Sequence, residues 1–320
     1  MPKLRLYFAC DIHGSERCFV KFLNAVKYNI YKAHIVMLSG DLTGKAIIPI
    51  VRKNGEYLAK TLKILGVDER AKSEDDLADL RRRIRNAGFY PHVFDESELE
   101  ELDSNRSKLE TLFTSLMSEC LERWVRMAEE QLPNSGVKCI MMPGNDDLKQ
   151  ADDIIRKSNY VCNPEGLVIE LDGHEMISSG FSNPTPWRTP RECSEEELEK
   201  KIDGMVIQVK NMKNCIFNFH VPPYDSTLDV APLLDANLRP VVTATKLLEV
   251  PVGSKAVRAA VEKYQPLLGL HGHIHDSASE VNIGRTLCLN PGSLYQQGIL
   301  RGYIIDLESG KIKLYQRVEG

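Results

Sequence analysis

The sequence predicts an α/β fold built on a largely parallel sheet, and three observations predict it. Residues 4–10 and 34–38 are short apolar runs of strand character, separated by a helical spacing in Phe19, Val20, Phe22, Leu23 and Val26. Such a strand–helix–strand unit implies parallel pairing through a right-handed crossover. Comparable runs resume at 137–142 and recur to the end of the chain. Finally, 42% hydrophobic and 27% charged residues over 320 positions describe a globular chain with room for a well-buried core, and exclude disordered and fibrous classes.

Taken in order, the first apolar run meets Asp11 too early for the h-region of a signal peptide, so it reads as a buried strand. The second ends at Gly40 and Asp41. The third begins only at 137, so the interval 45–132 reads as an insertion in a domain formed by 1–44 and 133–320. Its signals are helical. They include Leu62, Leu65, the segment after Ser73, and a wide apolar face through Leu109, Leu112, Phe113, Leu116, Met117, Cys120, Leu121, Trp124, Val125 and Ala128. Ser73 with Asp76 and Ser97 with Glu100 have the spacing of capping boxes. The basic run Arg81, Arg82, Arg83 and Arg85 lies at the end of a helix opened by acids. It reads as macrodipole pairing plus an Asp79–Arg83 pair, since no aromatic residue interleaves it. The insertion is expected to cap a site or to present its apolar face for homodimerisation.

Further strand-like runs lie at 167–171, 176–179, 215–219, 267–270 and 286–289, with a closing hairpin of 302–307 and 311–315 that turns at Ser309 and Gly310. Helices intervene from Ser194, a third capping box with Glu197, and after Gly253 and Ser254. No apolar stretch approaches the ~18 residues of a membrane span. The eight cysteines are scattered without a Cys-x-x-Cys pair, which fits a reducing cytoplasm. A net charge of −4 and a pI near 6.1 weigh against a nucleic-acid or anionic-membrane partner.

Five segments end strands with metal-ligand residue types: Asp11 with His13 and Gly14; Gly40 with Asp41; Gly144 with Asn145, Asp146 and Asp147; His220; and Gly272 with His273 and His275. In an α/β sheet the loops beyond the strand carboxyl ends converge, so ligands distant in sequence can share a site. Carboxylate and imidazole together suit divalent Mn, Fe or Zn. Each segment alone is an ordinary turn; their order, each after a strand, is the signal.

This arrangement resembles the calcineurin-like metallophosphoesterase superfamily, and most closely the bacterial and archaeal type in which Asn-Pro-Gly-Ser, here Asn290 to Ser293, follows the last motif. The resemblance runs from Leu4 to about Leu314, departing at 45–132. It implies a four-layer αββα sandwich and a dinuclear-metal phosphoesterase, most suited to phosphodiesters, acting by in-line attack of a metal-bridging hydroxide. By motif, Asp11, His13, Asp41 and His275 should hold one metal. Asp41, Asn145, His220 and His273 should hold the second, with Asp41 bridging. Two divalent ions against two carboxylates leave about +2, a site for the anion of a phosphate ester.

The family's usual His after the motif Asn is here Asp146. Asp146 and Asp147 are the catalytic candidates: with Asp147 beside it, Asp146 is a proton donor if its pKa is raised, and otherwise orients a loop or a water. His271 is an alternative donor or strand-end filler. The proline-stiffened segment around Trp187 carries Arg188 and Arg191, which either line the substrate pocket or, for Arg191, pair with Glu195. Val221, Pro222, Pro223 and Tyr224 stiffen the chain after His220, and Gly253 with Ser254 opens a helix that could cap itself or receive a phosphate. His34, His92 and His174 are expected to be non-ligands. A metal-dependent nuclease and a non-catalytic interaction module remain open on the same fold.

Overall fold

In the computed structural model, residues 3–59, 69–308 and 310–320 are described, so the helical signals at Leu62 and Leu65 and the turn residue Ser309 lie outside the described residues. The chain begins β1 (Leu4–Ala9), α1 (Glu16–Lys27), β2 (Ile35–Ser39). It then runs through β3 (Ile47–Lys53), β4 (Glu56–Ala59), β5 (Glu69–Ala71), α2 (Glu74–Asn86), β6 (Tyr90–Asp95), α3 (Glu96–Ser104) and α4 (Arg106–Gln131). Next come β7 (Lys138–Met142), α5 (Gln150–Arg156), β8 (Val161–Cys162), β9 (Val168–Leu171), β10 (His174–Ser179), α6 (Glu195–Val206) and β11 (Ile216–Phe219). The remainder is β12 (Val230–Pro232), β13 (Glu249–Pro251), α7 (Lys255–Tyr264), β14 (Leu268–Leu270), β15 (Ser279–Ile283), β16 (Thr286–Asn290), β17 (Arg301–Glu308) and β18 (Lys311–Glu319).

The fold is mixed α/β. One six-stranded sheet has the order β18-β17-β1-β2-β7-β8, a second β15-β16-β14-β11-β10-β9. In the first, β1, β2, β7 and β8 run parallel. In the second, β10, β11, β14 and β16 do. Alternation along each strand then decides the packing. Leu4, Leu6 and Phe8 of β1 and Ile35 and Met37 of β2 share one core with Met176, Ile216, Leu268 and Leu289 of the second sheet. Tyr7, Ala9, Val36 and Leu38 point the other way, onto Phe19, Phe22 and Leu23 of α1 and Leu121, Trp124 and Ala128 of α4. On the far side of the second sheet, Ile177, Phe217 and Cys288 meet Leu198 and Ile202 of α6 and Val257 and Val261 of α7.

The interval expected to be helical carries a four-stranded sheet as well, in the order β5-β4-β3-β6. With α2 it encloses its own small core of Ile48, Ile50, Ala59, Leu77, Leu80, Ile84 and Phe89. The β-branched run Ile47, Ile48, Ile50 and Val51 was the available strand signal, and Pro49 within it is tolerated because β4 pairs only from Ile50 onward. The second half of α4, inside the interval 45–132, packs on the first sheet. Trp124 stacks on Phe19 with centroids 4.3 Å apart, and the C-terminal half of the wide apolar face, Leu121, Trp124, Val125 and Ala128, is covered by α1 and the first sheet, whereas Leu109 at its start is exposed. Ser73 and Ser194 form the expected capping boxes. The box expected at Ser97 and Glu100 is displaced: α3 starts earlier, and Glu98 reaches back to the Asp95 N–H at 2.9 Å.

Candidate metal centre

Three loops past the carboxyl ends of β1, β2 and β7 are tied to one another by main chain. The Asp11 N–H donates to Gly40 O at 3.0 Å, the His13 N–H to Asp41 O at 2.9 Å and the Gly40 N–H to Met142 O at 2.7 Å. On the second sheet, the Gly272 N–H donates to His220 O at 2.9 Å, and the His273 N–H reaches across to both Asp11 carboxylate oxygens at 3.1 Å. Glycine permits this interdigitation. A Cβ on Gly40 would fall 1.9 Å from His220 Nδ1, one on Gly144 2.3 Å from Asp41 Oδ1, and one on Gly272 2.3 Å from Asp11 Oδ2. Asn290 donates to Leu228 O and Ile274 O, and Ser293 Oγ to Asp11 O at 2.6 Å, so the segment after the last motif clamps its loop.

All seven ligand-type residues are thereby brought to one place. Asp11, His13 and His275 form one group whose ligand atoms lie within 4.8 Å of one another, and Asp41, His220 and His273 form another. Asp41 also joins His13 and Asp146. His13 Nε2 faces His275 Nε2 at 2.8 Å, and His220 Nε2 lies 2.9 Å from Asn145 Oδ1 and 3.4 Å from Asp41 Oδ2. Two ring nitrogens so close cannot both carry protons, and imidazole nitrogens beside two buried carboxylates are a donor set that fits divalent cations.

The electrostatics agree. Burial opposes ionisation of Asp11, yet its bond to His275 and the charges of His220 and His275 hold it at about 2. Asp41 is likewise kept well below the usual carboxylate range, against burial, by His220 and His13. Burial pushes His13 far down and His273 to about 4, which leaves both rings neutral and able to donate a lone pair. His220 is carried to about 9 despite burial, because Asp41 and Asp11 face it. The buried carboxylates thus draw positive charge into the site.

The two candidate proton donors separate sharply. Asp147 is fully buried and saturated: its carboxylate accepts from the Leu42, Thr43 and Gly144 N–H groups at 2.9, 2.8 and 2.7 Å and from the Thr43 hydroxyl. It braces the β2 and β7 loops. Asp146 sits at the rim, its N–H on Asp41 Oδ1 at 2.9 Å and its Oδ2 2.6 Å from Lys45 Nζ. Burial and the Asp41 charge raise its carboxyl to about 6, against the pull of Lys45. His271 is a core residue, its Nδ1 2.8 Å from Phe219 O and its pKa taken by burial to about 4.

Arg191 is likewise engaged by main chain. It is 1% exposed and donates to Asp147 O at 3.0 Å and Leu148 O at 3.2 Å and pairs with Asp152 at 2.8 Å rather than with Glu195. Glu195 instead fills the N-terminus of α7, accepting from Ser254 Oγ, Lys255 N and Ala256 N at 2.6, 3.0 and 2.9 Å; an internal carboxylate occupies the place considered for a phosphate. Arg188 is exposed and, among the described residues, its guanidinium has no partner. His34, His92 and His174 belong to none of the ligand groups among the described residues.

Sequence reading missed three neighbours of the site. Lys45 pairs with Asp146, Thr189 Oγ1 accepts from Asn145 Nδ2 at 2.9 Å, and the Tyr295 ring packs 4.7 Å from that of His13. None lies in a ligand motif. Tyr90 and Gly88, after α2, buttress the first two motif loops from behind: the Tyr90 hydroxyl accepts from the Gly44 N–H at 2.8 Å, and Gly88 O leaves no room for a side chain on Gly14 or Gly44.

No protein-family model matches the chain. An uncharacterized protein of Methanocaldococcus jannaschii, MJ1162, is 31% identical over 157 residues, a match that spans 48% of this chain and 64% of that relative's length. Among solved structures, TT1561 of Thermus thermophilus is 12% identical with a TM-score of 0.51, over 100% of this chain and 99% of that one. A further crystal structure is 16% identical with a TM-score of 0.56 over 99% of both chains. The shared property at these identities is the fold. No helix among the described residues is long and apolar enough to cross a membrane.

Proposed function

We propose that this chain is a metal-dependent phosphoric ester hydrolase of the metallophosphoesterase type, suited to phosphodiesters. The observation that carries the reading is the convergence of seven ligand-type residues from five strand ends, with Asp41 placed toward both His13 and His220. The helix, sheet, sheet, helix order of the packed clusters supports the four-layer αββα sandwich. Asp11, His13, Asp41 and His275 would hold one ion, and Asp41, Asn145, His220 and His273 a second. Divalent Mn, Fe or Zn bound there would polarise phosphoryl oxygens and lower the pKa of water toward 7.

The chain's own residues do the positioning. Thr189 and His220 fix the Asn145 amide from its two ends. Lys45 neutralises Asp146, so this pair adds no net cation for the second charge of a monoester, which favours the singly charged diester. The Asp146 carboxyl, raised to about 6 by burial and the Asp41 charge, would serve a leaving alkoxide as acid only in the fraction that takes up a proton and releases Lys45.

Metal analysis with a panel of p-nitrophenyl mono- and diesters tests this. Asp41→Asn is expected to lose bound metal and to lower diester hydrolysis by more than about a hundredfold. Asp146→His is expected to change rates on esters with poor leaving groups more than on nitrophenyl esters. A wild-type protein without metal that cleaves no ester in excess Mn²⁺ defeats the reading in favour of an interaction module, and steeply salt-dependent DNA binding with cleavage would make it a nuclease.

A further inference from the structure

The segment 182–192, tied to the candidate metal centre through Thr189 and Asn145, projects a large aromatic side chain into solvent. Trp187 is 65% exposed, whereas Trp124, the second tryptophan, is fully buried. The loop is rigid. Prolines stand at 184, 186 and 190, and its base is closed by Ser182 N to Arg191 O at 3.1 Å and Cys193 N to Ser182 O at 3.0 Å. Inside it, the Glu192 carboxylate accepts from Thr189 N and Thr189 Oγ1, both at 2.8 Å, and from Thr185 Oγ1; the Trp187 N–H donates to Thr185 Oγ1 at 3.2 Å. The buried Arg191 pins its end to the β7 loop.

A loop held this way fixes the main chain from which the exposed indole projects. Its position is set by Thr189, which accepts from the ligand-type Asn145. Trp187 is two residues away, at most about 7 Å of chain. Between them Arg188 stands at φ +53°, a conformation costly for a side-chain-bearing residue, and its guanidinium has no partner among the described residues. A strained, unpaired cation beside an exposed indole, one short step from a phosphate-type metal site, suits an anionic ligand that carries a planar ring. Base stacking on an aromatic side chain is such a contact, and arginine adds cation–π and phosphate contacts.

We infer that Trp187, with Arg188 beside it, is the platform for the base of a small nucleotide-type phosphodiester whose phosphate lies at the metal centre. This rests on the phosphoesterase reading and names its substrate class. The probes are adenosine 5′-monophosphate and ribose 5-phosphate as inhibitors of bis-p-nitrophenyl phosphate hydrolysis, together with tryptophan emission, on wild type, Trp187→Phe and Trp187→Ala. Adenosine 5′-monophosphate should quench wild-type emission while ribose 5-phosphate does not, and the quench should vanish in Trp187→Phe because Trp124 is out of reach. Its inhibition constant should rise about tenfold in Trp187→Ala and less in Trp187→Phe, with that of ribose 5-phosphate changing less than about twofold. Equal inhibition by adenosine 5′-monophosphate in wild type and Trp187→Ala, both metal-loaded and active, overturns the platform and leaves the phosphoesterase reading standing. Wild-type protein that neither holds metal nor hydrolyses the ester overturns both.

Discussion

Asp11, His13, Asp41 and His273 all stand at positive φ, between 40° and 67°, conformations that side-chain-bearing residues adopt at a cost of about 1–3 kcal/mol each. The hydrogen bonds between the loops hold them there, and the strain turns side chains from separate strands toward a common point. Gly40, at φ +93°, has a different task, since His220 occupies the space its side chain would need. Gly40→Ala is therefore expected to displace His220 and reduce metal content, with little change in the helical circular dichroism signal. A second residue-scale effect lies away from the ligands. Burial raises Glu165 to about 7, against its bond from the Gly180 N–H and the charge of Arg191. Its folded pKa lies above its unfolded value, so this carboxyl costs stability progressively as pH rises from about 4.5 to about 7, by a few kcal/mol in total, and the loss is complete above that. Glu165→Gln keeps an acceptor for Gly180, and should raise the urea midpoint at pH 8 far more than at pH 5.

At the scale of elements, α4 was anticipated as a helix but not in its packing. Its amphipathic spacing was plain, but spacing does not say what an apolar face meets; here Met117, Leu121, Trp124, Val125 and Ala128 are buried within the chain. Trp124→Ala should cost about 3–5 kcal/mol, read as a lowered urea midpoint with an unchanged slope. The small sheet of β3 to β6 was missed because helix caps and spacings surround its short strands and compete with their β-branched signal. The strands that end in ligand residues were legible for the opposite reason. Each is a compact apolar run stopped by glycine, aspartate or histidine, a signal complete within a few residues. Lys45, Thr189 and the structural role of Arg191 carried no comparable local mark, since each acts on a loop distant in sequence, as Asn145 and Thr189 show at a separation of 44.

At the scale of the whole molecule, the two sheets meet at the candidate metal centre, so a bound cation should tie them together. Mn²⁺ at a hundred times its dissociation constant should stabilise the native state by about 2.7 kcal/mol, seen as a raised Tm that a chelator reverses and Asp41→Asn lacks. The interval 45–132 is joined to this assembly on two sides. Trp124 lies in the core, and Tyr90 and Gly88 back the first two motif loops. Its removal is thus expected to abolish cooperative thermal unfolding rather than only to alter substrate preference.

Strand positions, the turns after them and the metal-ligand residue types could be read from the amino-acid order, because periodicity, glycine and ligand chemistry act over a few residues at a time. The division of labour among those residues emerged only on folding. Asp146 and Asp147 are neighbours of the same type, yet one reaches the rim beside Lys45 while the other is enclosed by four donors. Their environments come from loops far away in the chain, as the bond from Asp146 to Asp41 shows across 105 positions. Burial and neighbouring charge set what a carboxylate can do, and both are properties of the packed molecule.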